Sequence, residues 1–273
     1  MVWTSRTVSL AAGIVVALIA LIPFVLSPFT SLSLSLDNLW PQSTNNSAPF
    51  VCTPQAYTTR IVSMDPLVIY IHDFLTRPEI AALLETGDPL FKPSLTTKRG
   101  RSAPDKSRTS KSAGLPRGDP AVECVLERAE HFMGAMFAPG KDEMGVPQLV
   151  RYGPGEKVDF HYDWFPRLQR NAEREGRWNR PASFFVTLED GCEGGETHFP
   201  NISAATPLGG EEGKFPWREH EGGGVAFRPV KGNALFWVNL LGDGTGDERT
   251  RHAGLPVEGG RKTAMNIWPR RYV

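Results

Sequence analysis

Residues 232–270 read GNALFWVNLLGDGTGDERTRHAGLPVEGGRKTAMNIWPR, and the reading of this stretch decides the fold. Two short apolar runs, 234–238 and 263–268, are separated by Gly- and Asp-rich turn chemistry rather than by anything with helical period. Working outward, the same texture recurs at 148–152, 157–163, 183–188, 195–199 and 224–228, each run bounded by Gly, Pro or Asp. With 27 Gly and 23 Pro among 273 residues, a turn-rich β protein is favoured over a helical bundle. Helical signals come earlier. Thr76-Arg-Pro-Glu79 offers an N-cap and a first-turn proline for a helix through Leu84. Val122, Val125, Leu126, Ala129 and Met133 recur at helical spacing across 120–137. The expected fold is mainly β with flanking helices, a β-sandwich or jelly roll with helices packed on one side. Residues 61–74 read as a single strand, 92–118 as a basic loop, and 201–224 as a Gly-rich insertion.

The N-terminal region has a different character. Residues 8–27 (VSLAAGIVVALIALIPFVLS) carry no charge and match the roughly 20 residues needed to cross a bilayer. Arg6 precedes them, and the next basic residue is Arg60. That asymmetry predicts a single-pass type II signal anchor, with residues 1–7 cytosolic, 28–54 a stalk, and 55–273 a domain in the lumen of the endoplasmic reticulum or secretory pathway. A cleaved signal peptide is the rival reading, although its apolar region is usually shorter. Cys52, Cys124 and Cys192 allow at most one disulfide, with the pairing open, and Asn45 and Asn201 begin glycosylation sequons. A formal net charge of zero gives no footprint for nucleic acid.

Candidate metal ligands lie in the middle and at the end of the chain. In Tyr152-Gly-Pro-Gly-Glu-Lys-Val-Asp-Phe-His161-Tyr-Asp163, strand alternation turns His161 and Asp163 to one face. His252 follows the turn-rich 242–250. Two imidazoles and one carboxylate form the facial triad of non-haem Fe(II) oxygenases, with coordination positions left open. Among six histidines and thirty acidic residues, a His-x-Asp pair alone has an ordinary reading as the polar face of an edge strand. His198 is read as facing away from the metal.

The ordered blocks around His161, Gly194-Gly-Glu-Thr-His-Phe-Pro200 and 232–270 resemble the catalytic domain of prolyl 4-hydroxylases over residues 60–271. The resemblance implies a double-stranded β-helix (jelly-roll) core and an Fe(II)- and 2-oxoglutarate-dependent dioxygenase that hydroxylates peptidyl proline and releases succinate and CO2. It implies iron on His161, Asp163 and His252, and Lys262 on the distal carboxylate of 2-oxoglutarate. Tyr152 and Thr197 would help to hold that end, Trp268 would be a pocket aromatic, and L-ascorbate would keep the iron reduced. Arg108-Thr-Ser110 resembles a segment of the loop that closes over peptide, which makes Arg108 a substrate-binding candidate and 92–117 a candidate lid. Leu255 stands where many relatives carry Cys, and nothing resembles the separate peptide-binding domain of the collagen enzymes. Arg167, Arg170, Arg174, Arg177 and Arg180 read as a mixed-charge exposed segment able to gather acidic substrates. Two alternatives stand beside this reading: a related oxygenase acting on another side chain or a small molecule, and a membrane-tethered, non-catalytic jelly-roll binding module.

Overall fold

The computed structural model describes residues 50–98, 101–103, 105–171, 174–204 and 215–273. The expected span 8–27, the stalk up to residue 49 and the sequon at Asn45 lie outside them. Among the described residues no helix is long and apolar enough to cross a membrane.

Alternation along the strands builds the core in two layers. The larger sheet has eight strands, in the order Thr58–Met64, Leu67–His72, Ala234–Val238, Ala182–Glu189, Lys262–Ile267, Gln148–Tyr152, Lys111–Gly114 and Lys92–Pro93. The smaller has five: Trp217–Glu219, Val225–Phe227, Thr197–Phe199, His252–Gly254 and Val158–His161. Neighbouring strands run antiparallel in both. On one face of the large sheet Phe184, Val186, Phe236, Met265 and Ile267 pack against Leu83, Val122 and Val125 of the two helices. On the other face Val68, Tyr70, Leu235 and Trp237 meet Phe199, Val225 and Phe227 of the small sheet. Each large side chain buried in this way contributes about 1.5–3 kcal/mol. The result is the expected jelly roll, one face backed by helices and the other closed by the second sheet.

The helices start where their caps dictate. Helix α1 spans Arg77–Gly87 and opens with a capping box: the Thr76 hydroxyl accepts from the Glu79 amide at 3.3 Å, and Glu79 Oε2 accepts from the Thr76 amide at 2.7 Å. Helix α2 spans Pro120–Met133, with Asp119 accepting from the amides of Ala121 and Val122. It stops earlier than its apolar spacing suggests, because Gly134 has φ of 50° and the chain turns there into a short 3-10 segment. Glu79 also receives Arg128 of α2, whose Nη1 donates to Glu79 Oε2 at 2.9 Å and to the Phe74 carbonyl at 2.8 Å. Cys52 is bonded to Cys124 on α2, and Phe50 and Tyr57 pack against the helix-side core. Residues 50–54 are therefore already part of the domain. Cys192 is the free thiol.

Three sequence expectations change. Residues 61–74 form not one strand but the hairpin Thr58–Met64 and Leu67–His72, turned at Asp65-Pro66, where proline has no amide to give the ladder. The basic segment 92–118 is not a plain loop. Lys92–Pro93 and Lys111–Gly114 extend the large sheet, and Thr96–Lys98 pairs with Arg101–Ala103. The arginine-rich segment after Asp163 holds the short strands Gln169–Arg170 and Arg177–Asn179, and Arg180 turns inward, out of the exposed face its neighbours suggested.

Candidate active site

His161 ends one strand of the small sheet and His252 begins its neighbour, and the two stand opposite each other in register. Asp163, two residues beyond His161, comes back to the same side. The imidazole centroids are 4.3 Å apart. Nε2 of His161 lies 3.9 Å from Asp163 Oδ1, and Nε2 of His252 lies 4.0 Å from Oδ2. One ligand atom from each residue falls within 4.8 Å of the other two, in the only such group among the described residues. His198 is outside it. Its Nε2 meets the Gly223 carbonyl at 2.7 Å and its ring stacks on His220.

The surroundings set both tautomer and charge. Nδ1 of His161 donates to the Asp159 carbonyl at 2.8 Å and Nδ1 of His252 donates to the Thr250 carbonyl at 2.9 Å, which leaves each Nε2 lone pair for a metal. Burial first, then repulsion from His252, pushes His161 down to about 4, so it is neutral at physiological pH. For Asp163, burial opposes the charge. His252, His161, Arg180 and the Ser183 hydroxyl outweigh it and hold the carboxyl at about 2. Oδ2 of Asp163 accepts from Ser183 Oγ at 2.7 Å and from Trp268 Nε1 at 2.9 Å, and Asn239 Nδ2 donates to that same Ser183 oxygen at 2.9 Å.

A cavity of about 470 Å³ opens in front of the three ligands, lined also by Arg108, Tyr152, Phe185, Thr197 and Trp268. Lys262 lies one layer deeper, behind Phe185 and Thr197, which border both the cavity and its recess. The lysine is 2% exposed. Its ammonium donates to the Gly195 carbonyl at 2.6 Å and sits 4.9 Å from the Phe185 ring centre and 5.7 Å from that of Tyr152. Among the described residues it has no carboxylate within ion-pair distance. Burial pushes it down to about 8, with Cys192 and Glu196 opposing weakly.

A model of the 2OG-Fe(II) oxygenase superfamily matches residues 147–270, the stretch that holds the three ligands and Lys262. A probable prolyl 4-hydroxylase 10 of Arabidopsis thaliana is 31% identical over 217 residues, covering 77% of this chain and 71% of that protein. The chain belongs to the prolyl 4-hydroxylase family. The alpha-1 subunit of prolyl 4-hydroxylase from Rattus norvegicus is 30% identical over 207 residues, which span 74% of this chain and 34% of the subunit. Among solved structures, a viral collagen prolyl hydroxylase from Paramecium Bursaria Chlorella virus-1, as a 2OG complex, shares the fold with a TM-score of 0.53 at 21% identity, covering 81% of this chain and 99% of that one.

The residues present fit what a prolyl 4-hydroxylase binds. Two imidazoles whose Nε2 lone pairs are left available and one ionised carboxylate suit Fe(II), and a buried ammonium with no carboxylate partner among the described residues suits the far carboxylate of 2-oxoglutarate. Tyr152 stands opposite Lys262 in the strand register, and Thr197 borders the same recess. Trp268 lines the cavity as its motif suggests, but its indole N–H is committed to Asp163. Arg108 reaches the cavity wall and donates to Gln148 Oε1 at 3.0 Å. Sequence reasoning missed Ser183, Asn239 and Arg180. Arg180 donates to the Asp163 carbonyl at 3.2 Å, and its guanidinium lies 3.8 Å from the Trp268 ring centre. Their only signal was position: Ser183 and Asn239 flank apolar strand runs, which pairing brings together.

Proposed function

We propose that this chain hydroxylates peptidyl proline as a prolyl 4-hydroxylase, consuming 2-oxoglutarate and dioxygen and releasing succinate and CO2. The observation that carries the reading is one cavity lined by His161, Asp163 and His252, with the buried Lys262, which has no carboxylate partner among the described residues, one layer deeper. Bound iron and 2-oxoglutarate would supply the oxygen chemistry. The chain supplies placement. His161 and His252 present Nε2 because their other nitrogens are tied to backbone carbonyls. Asp163 is aimed by Ser183 and Trp268. Lys262 neutralises the distal carboxylate in a recess closed by Phe185, Tyr152 and Thr197. Ascorbate would keep the metal ferrous. The anion-free lysine and the complete ligand set argue against a non-catalytic jelly-roll module, which has no use for a buried unpaired charge.

The Cys52–Cys124 bond supports an oxidising compartment, and the exposed Asn201 is accessible to glycosylation. Both fit a secretory-pathway enzyme anchored through residues 8–27. The 92–117 segment, whose Leu95, Ser107 and Arg108 reach the cavity, would act as the lid over the peptide.

The test is succinate release by the chain with Fe(II), 2-oxoglutarate, ascorbate and proline-rich peptides, with His161→Ala alongside. Peptide-stimulated succinate that is lost in the variant, together with oxygen added to proline, is expected. Oxygen on another side chain or on a small molecule would reassign the substrate. No succinate from folded, iron-loaded protein would sink the enzyme reading.

A further inference from the structure

The cavity in front of the three metal ligands carries more positive charge than iron and 2-oxoglutarate require. Arg108 and Arg180 both line it, and in each the Nε is buried without a hydrogen-bond partner. Neither guanidinium has an ion-pair carboxylate among the described residues. The acids on the cavity wall are already engaged: Asp159 pairs with Lys157 at 2.7 Å, and Asp163 belongs to the metal set. Arg180 reaches only the Asp163 carbonyl at 3.2 Å and the rings of Phe165 and Trp268, while Arg108 reaches the neutral Gln148 amide.

A second recess of about 220 Å³ shares Gln148, Arg180 and Trp268 with the main cavity and continues past them to Val146 and Arg270. Arg270 lies 3.3 Å from Glu143, a carboxylate that also serves Arg174 and the Tyr272 hydroxyl. Arg180 thus lines both recesses, with Arg108 in one and Arg270 in the other. A half-buried guanidinium whose Nε is buried and idle is costly unless an anion arrives, and its planar fork matches a carboxylate in two-point geometry. Main-chain carbonyls of a peptide could use the N–H groups but would leave the charge uncompensated.

Resting on the prolyl-hydroxylase reading, we propose that this site selects peptides bearing an acidic side chain beside the reactive proline, its carboxylate received by Arg108 and Arg180 where the two recesses meet. Arg180 touches the backbone of a metal ligand, and an extended peptide advances about 3.3 Å per residue. The acidic residue therefore falls within one or two positions of the proline.

The test measures binding of labelled peptides to the full chain with Mn(II) and N-oxalylglycine as inert stand-ins. A proline peptide flanked by Glu is compared with its Gln isostere. The Glu peptide is expected to bind about tenfold to a hundredfold more tightly. Arg180→Gln and, separately, Arg108→Gln should each shrink that ratio. The ratio is internal to each protein, so partial loss of folding in either variant does not obscure it. Equal affinity for the two peptides overturns the proposal, as does a preference that survives in both variants. Free L-proline displacing the Glu peptide as effectively as unlabelled Glu peptide overturns it too, by making a small amino acid the ligand. Mass analysis with Fe(II), 2-oxoglutarate and oxygen separates the layers: tight Glu-peptide binding without oxygen on proline keeps the acidic selectivity and removes the prolyl reading beneath it.

Discussion

Two buried cations stand on opposite sides of the large sheet, and they are treated differently. On the helix side Arg128 lies against Glu79, with a further bond to the Phe74 carbonyl. On the cavity side Lys262 is more deeply buried and has one carbonyl and two aromatic rings, but no carboxylate among the described residues. Desolvating a charge costs several kcal/mol, so each arrangement must be balanced somewhere. Arg128 carries its counter-ion in the chain, on the residue that also caps α1, and the pair ties α1 to α2. On the proposed reading, Lys262 leaves its counter-ion to 2-oxoglutarate. A cation provided with its own anion is holding the fold; one without is reserved for binding.

This contrast can be broken or sharpened by experiment. The largest stability effect is expected from Glu79→Ala, which strands Arg128 in the core and removes half the capping box. The cost should be about 3–5 kcal/mol, and a melting curve should drop on the order of 10 °C. Lys262→Met should do the reverse. Affinity for 2-oxoglutarate, measured by titration, should fall by about 2–5 kcal/mol, at least about 30-fold, while thermal stability of the ligand-free protein holds or rises. If Lys262→Met unfolds the protein as Glu79→Ala does, the two cations are not different in kind and the contrast fails.

Smaller effects refine the ligand side. Ser183→Ala removes a donor from Asp163 and strands Asn239 Nδ2, so metal affinity should weaken about 10- to 100-fold with iron content as the readout. Unchanged iron binding would mean that Trp268 alone aims the carboxylate. The pH dependence of 2-oxoglutarate binding has a defined sign. Burial depresses Lys262 to about 8, and a bound carboxylate favours its charged form. Affinity should therefore be level below about pH 8 and fall about tenfold per unit above it, and the break should vanish in Lys262→Met. A flat profile in the parent protein would place the anion elsewhere.

Much of the architecture was readable from the chain. Turn residues bracket short apolar runs, so the strands at 148–152 and 234–238 came out at their observed bounds, and Thr76 with Glu79 announced α1. The boundaries that moved did so for local reasons: Asp65-Pro66 splits a run that hydropathy reads as continuous, and Gly134 ends α2 early. The basic 92–118 segment has no apolar alternation because two of its strands lie at the far end of the large sheet, where Lys111–Gly114 takes its register from Gln148–Tyr152, and the other two pair only with each other.

The chemistry of the site divides along the same line. His161 and Asp163 share a face because alternation has a period of two, and that much is local. Together with His252 and Lys262 they form an ordered pattern that resembles the prolyl 4-hydroxylases, and it was that resemblance that implied the metal and the keto acid. What tertiary structure decided is which groups share a small volume. The register of two strands sets His161 against His252, the packing of two sheets leaves Lys262 without a carboxylate among the described residues, and the pairing of three neighbouring strands brings Ser183 and Trp268 to one carboxylate and Asn239 to Ser183. It also turned Arg180 from an expected surface charge into a cavity wall. Charge in a sequence has a sign but no environment, and only folding determines whether water, a partner in the chain or a ligand answers it.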